Sequence, residues 1–102
     1  MLMTKRKPAT VGEILVKEFM QPMGLTQAAL AEAMGVQRKH VNELCNNRRT
    51  VTAATALILS RVFGNSLEFW LNVQRRGDLW KVMNDARERK RIERARPVGT
   101  VG

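Results

Sequence analysis

The chain has 102 residues, 44% hydrophobic and 26% charged, a length that fits one domain with a modest core and a composition that excludes disorder. Eighteen Lys and Arg against nine Asp and Glu give a formal net charge of +9, which draws polyanions, either nucleic acid or an acidic protein surface. One Cys excludes an intramolecular disulfide, one Cys with one His cannot furnish the roughly four ligands of a structural zinc site, and no apolar run approaches the roughly 20 residues of a membrane span.

Residues 1–9 read as a flexible basic arm ending at Pro8. No apolar leader segment follows it, because VGEILVKEF is broken by charges, so a cytoplasmic protein is expected. Thr10 and Glu13 have the spacing of a capping box. The helix they start carries Val11, Ile14, Leu15 and Phe19 on one face, and Pro22 and Gly24 are expected to end it. Thr26 is the N-cap expected for a second helix running to Met34.

Gly35 can take positive φ without steric cost, as a tight helix-to-helix turn requires. Val36 plugs the corner, and a helix from about Gln37 to Cys45 buries Val41 and Leu44. Leu30, Ala31 and Met34 face it from the preceding helix, Ala31 being small where the two cross. Arg38, Lys39, Asn42 and Glu43 are left pointing outward. A cationic helix held on an αα corner is the helix-turn-helix arrangement that enters a DNA major groove. Asn46 and Asn47 are expected to close this helix.

Thr52 caps a fourth helix so apolar, through Ala56, Leu57, Ile58, Leu59, Val62 and Phe63, that most of its circumference is expected to be buried, with Gly64 as its stop. A fifth starts at Asn65 or Ser66. Its Leu67, Phe69, Trp70, Leu71 and Val73 are more apolar surface than one small domain is expected to cover. Gly77-Asp78 can kink or interrupt it before Leu79, Trp80, Val82 and Met83 resume the pattern. Two readings stay open for this stretch: plain core, or a homodimer interface through Leu67, Trp70, Leu71, Val73, Leu79 and Trp80. Residues 84–102 divide into a charged helix, with Arg87 to Arg96 open to DNA, a protein partner or plain solvation, and a fraying end from Pro97.

With these residues in place, the chain resembles the HigA-type antitoxins, a branch of the phage-repressor-like (Xre/Cro) helix-turn-helix proteins. VGEIL, the unit from Gln27 to Leu44, NNRR and FGNSLEFWLNVQ…DLW carry the likeness over roughly Pro8 to Val82. The resemblance implies an all-α, lambda-repressor-like domain of five helices or slightly more over residues 10–83. It also implies a homodimer that represses its own operon at a double-stranded DNA operator and neutralises a toxin resembling RelE-type mRNA endonucleases. No cofactor or metal is implied. Gln37 departs from the Ser or Thr common at that cap, and the Asn pair replaces the usual Asn-Gly.

By the same resemblance, Gln27 contacts a phosphate and braces the reading helix, while Gln37, Arg38, Lys39 and Asn42 lie where relatives reach base edges. Arg38 or Lys39 suits guanine O6 and N7, and Gln37 or Asn42 suits adenine. Glu43 can accept from a cytosine amine or pair with Lys39. Arg48, Arg49 and the helix start at Thr52 suit phosphates. His40 either joins them or stays solvated. His40 and Cys45, about 140° apart around a helix, do not form a catalytic pair, which disfavours an enzyme. An RNA-binding module is disfavoured because the few aromatics are needed for packing. A stand-alone transcriptional regulator without a toxin is the alternative reading.

Overall fold

Thr10 sets the first helix. Its hydroxyl accepts from the Glu13 amide at 3.1 Å, and its own amide donates to Glu13 Oε1 at 3.0 Å, closing the capping box. In the computed structural model, which describes residues 6–99, helix α1 runs through three contiguous segments, Val11–Ile14, Leu15–Met20 and Gln21–Met23. The middle segment is a π-helix, with the Gln21 amide donating back to the Val16 carbonyl. Pro22 therefore sits inside the last turn, and Gly24, at φ 61°, ends the helix. A proline ring presses on the carbonyl four residues before it, and a widened turn upstream relieves that pressure. Residues 1–5 of the expected arm and residues 100–102 of the expected fraying end lie outside the described residues.

α2 (Gln27–Met34) is capped by Thr26, whose hydroxyl accepts from Ala29 N at 3.1 Å. Gly35, at φ 71°, turns the chain, and the Val36 amide reaches back to Ala31 O at 3.0 Å. α3 (Arg38–Cys45) follows, with no side-chain hydrogen bond from its N-cap Gln37. Asn47 closes it at φ 57°. α4 (Ala53–Phe63) starts on Thr52 and stops at Gly64, φ 71°. α5 (Leu67–Met83) starts on Ser66 and is continuous through Gly77, so Gly77-Asp78 does not interrupt it. A helix-interior glycine costs only about 1 kcal/mol, and the Gln74 Nε2 to Asp78 Oδ1 bond at 2.9 Å spans it. α6 (Ala86–Arg94) is capped by Asp85. Among the described residues there are six helices and no strand, the all-α architecture expected.

The core joins Leu15 of α1, Leu30 of α2, Val41 and Leu44 of α3, Leu59 of α4, and Trp70 and Val73 of α5. Trp70 is fully buried and Val73 is 1% exposed, which corrects the expectation that both serve a dimer interface: their surface is spent within the chain. Room for them comes from an aromatic cluster. Phe19 lies tilted 4.7 Å from Phe63 and 5.0 Å from Trp70, Phe69 meets Trp70 edge-on, and the indole N–H donates to Asn65 Oδ1 at 2.8 Å. Leu67, Phe69 and Leu71 pack half-buried against that core. α4 departs in the opposite direction, with Leu57 55% exposed, because α2 and α5 cover only one side of it.

Candidate nucleic-acid interface

α3 is held from three sides while its outer face stays free. Val41 and Leu44 anchor it in the core. From α2, Gln27 Oε1 accepts from Asn42 Nδ2 at 3.2 Å, so the expected brace is present, with Gln27 Nε2 left to donate and Asn42 Oδ1 left to accept. From α1, the start of the helix meets the end of α3. Asn47 Oδ1 accepts from the Gly12 amide at 2.8 Å and Asn47 Nδ2 donates to Thr10 Oγ1 at 3.0 Å. Gly12 is buried there, and a Cβ on it would run into the Cys45 carbonyl. The loop after α3 is tied to α5, because Gln74 Oε1 accepts from Val51 N at 2.8 Å. Gly12 and Gln74 escape a sequence reading because their partners lie 35 and 23 residues away. Asn47 is legible as a cap and not as a tether.

Gln37, Arg38 and Lys39 are exposed at the start of α3, and neither cation has a side-chain partner among the described residues. Asn42 shares their outer surface. Glu43 departs from expectation. Its Oε1 takes Arg49 Nη2 at 2.8 Å and Arg49 Nε at 2.9 Å, so it pairs neither with Lys39 nor freely with a base. The fork geometry of the guanidinium explains the preference, since Arg offers two aligned donors where Lys offers one point charge. Arg49, expected at a phosphate, is thereby occupied, whereas Arg48 remains unpaired and exposed. The Thr52 hydroxyl is taken as well, accepting from Thr55 N at 3.2 Å as the α4 cap, which leaves the first amides of α4 as the free donors of that corner.

His40 is not a surface cation. Its Nε2 is buried without a partner, and desolvation first, then the Arg49 charge, lower its pKa below the usual 6.5 against a smaller upward pull from Glu43. A neutral imidazole offers a phosphate little. Burial likewise raises the Cys45 thiol, which lies 3.7 Å from Met20 Sδ. Trp80 is half-buried: Lys7 Nζ lies 5.8 Å from its ring centroid, and its indole nitrogen is buried with no partner. A cavity of about 170 Å³ opens beside it, lined among others by Thr10, Asn47, Arg49 and Lys81. Leu79, 41% exposed, is the outward apolar residue of that stretch. The described residues contain no metal-holding group of three or more His, Cys, Asp or Glu, and no helix among them is long and apolar enough to cross a membrane.

The helix-turn-helix family matches residues 16–70, from α1 through both corner helices to Trp70. Antitoxin HigA-1 of Vibrio cholerae serotype O1 is 51% identical over 85 residues, covering 83% of this chain and 80% of that protein. The chain belongs to the HigA-type branch of the helix-turn-helix family. Another HigA-type relative in structure is the Pseudomonas aeruginosa antitoxin HigA solved with the higBA promoter, 33% identical with a TM-score of 0.79, over 91% of this chain and 99% of that one. The Escherichia coli K12 protein YbaQ, named only as an uncharacterized transcriptional regulator of the helix-turn-helix type, is 41% identical over 93 residues, 91% of this chain and 82% of its own length. The HigA-type likeness thus spans the corner, its braces and the apolar start of α5.

Proposed function

We propose that this chain is the antitoxin of a type II toxin–antitoxin pair, a homodimer in the cytoplasm that represses its own operon and neutralises a RelE-like mRNA endonuclease. The observation that carries the DNA half is a rigidly braced α3 whose Arg38 and Lys39 are exposed and unpaired. A promoter-bound HigA relative supports the same half. On this reading Gln37, Arg38, Lys39 and Asn42 read base edges, and Arg48, Gln27 Nε2 and the first amides of α4 hold phosphates. Pairing of two chains sets the reading helices about 34–36 Å apart, one turn of duplex. Leu79, with the half-buried Leu67, Leu71 and Trp80, supplies the apolar surface for that pairing. The role is regulatory rather than catalytic.

Titration of the chain against its own promoter tests this. A two-fold-symmetric protected site is expected. Arg38→Ala should lower the preference for that site over random DNA by about 1–3 kcal/mol, and Arg48→Ala should weaken both DNAs alike. Equal behaviour of the two variants on both DNAs would overturn the division of roles. The toxin half rests on the HigA likeness, and a short adjacent gene whose product is toxic alone and silenced by this chain is the expected finding. A stand-alone regulator is the second reading, favoured by a relative named only as a regulator. Absence of any such gene would select it.

A further inference from the structure

α6 is unlike the rest of the fold. Every residue from Ala86 to Gly99 is exposed except the half-buried Glu88, and α5 is the element α6 chiefly packs against. The radius of gyration is 17.0 Å and the long axis spans 57 Å, against about 13 Å expected for the radius of a compact chain of 100 residues. An isolated helix this short is marginal in water, so its cap does much to define it: Asp85 Oδ1 accepts from Arg87 N at 2.9 Å and from Glu88 N at 3.3 Å, and Asn84 closes α5 just before it.

Four of the five cations of α6 lie on one face. Arg87, Lys90, Arg91 and Arg94 fall at i, i+3, i+4 and i+7, the spacing of a single helical stripe. Ile92 lies on the far side and Glu88 on the flank. Arg91 Nη1 donates to Glu88 at 3.0 Å, and the other three cations have no side-chain partner among the described residues. Like charges three and four residues apart repel by about 0.2–0.5 kcal/mol per pair. A helix that merely kept itself solvated would interleave its signs, whereas this one concentrates the repulsion on one side.

We propose that the α6 stripe is a second nucleic-acid surface, binding backbone phosphates without reading sequence, while α3 supplies specificity. It rests on the DNA-binding reading above. Three of the four groups are guanidinium forks suited to phosphate oxygens. The stripe rises about 10.5 Å along the helix, comparable to about three phosphates of one strand. An acidic protein partner is disfavoured because the stripe has no apolar anchor: Ile92, 49% exposed, faces the other way. Where α6 reaches the duplex that α3 occupies, its covalent tether gives it a high effective concentration there.

The test is operator binding at a series of salt concentrations for the full chain and for Arg87→Gln/Lys90→Gln/Arg91→Gln/Arg94→Gln, with circular dichroism confirming retained helix. The log–log salt slope should flatten by about 0.9 for each phosphate no longer neutralised, up to about 2.7 per chain for the roughly three phosphates the stripe spans. Preference for operator over random DNA should stay within about two-fold. Arg89→Gln, on the other face, should leave the slope unchanged. A folded quadruple variant with an unaltered slope overturns the proposal, as does a variant that keeps the slope but no longer binds a poly-glutamate peptide the parent captures. Failure of the parent chain to prefer its own operator over random DNA would defeat the DNA reading separately from the α6 stripe.

Discussion

Asn47 clamps the end of α3 to the start of α1 by way of Gly12: the Gly12 amide donates to Asn47 Oδ1 at 2.8 Å, and the backbone of Asn47 stands at φ 57°. The two residues are 35 apart in sequence. The clamp needs both a missing side chain and a left-handed backbone, so it sets the axis of α3 against the helix that begins the domain.

Changing Gly12 or Asn47 should therefore cost stability. Gly12→Ala, which in an open helix position gains about 0.5–1 kcal/mol, should here lose about 1–3 kcal/mol through overpacking on the Cys45 carbonyl. Asn47→Gly keeps the backbone and loses only the tether, so it should lose about 1 kcal/mol and Asn47→Ala about twice that. Thermal melts read all three, each kcal/mol moving Tm by about 4–8 °C.

Trp70→Ala should act on the fold of each chain, not on pairing. Removing a fully buried indole costs about 3–5 kcal/mol, visible as a lower denaturant midpoint. Leu79→Ser, at a 41% exposed site, should shift that midpoint little. If the proposed pairing surface is correct, it should instead move the sedimentation profile toward monomer at micromolar concentration.

Glu43→Gln should release Arg49. The pair is partly exposed, with side-chain exposures of 25% for Glu43 and 45% for Arg49, so the stability change should stay within about 1 kcal/mol. The freed guanidinium should tighten binding to any duplex and steepen the salt slope by about 0.9. Filter binding on operator and random DNA checks this, with equal gains on both expected.

Acid should destabilise the fold through His40. Its folded pKa lies below the unfolded 6.5, so the unfolded chain takes up the proton first. The stability it contributes is complete above about 6.5 and is lost as pH falls toward the folded value. Glu13, held below 4.5 by hydrogen bonds from the Thr10 amide and hydroxyl, adds a second loss of the same sign at lower pH. Denaturant midpoints followed from pH 7.5 to 5 should decline in the parent and flatten in His40→Gln.

The local signals in this chain are strong. Thr10, Thr26, Thr52 and Ser66 all cap helices, and Gly24, Gly35 and Gly64 all turn left-handed at helix ends, because caps and stops depend on residues within one turn of each other. The helical stripes of Leu30, Val41 and Leu44 are legible for the same reason. Position on α3 likewise marks Arg38 and Lys39 as outward. Tertiary structure decided what depends on distant partners: that Arg49 takes Glu43 from Lys39, that His40 is desolvated, and that Gly12 and Gln74 secure α3 and the loop after it. It also decided that Trp70 and Val73 belong inside, since Phe19 and Phe63 meet the indole only after α1, α4 and α5 have packed. Periodicity says which face of a helix is apolar; whether a neighbour in the same chain covers that face depends on the assembled geometry.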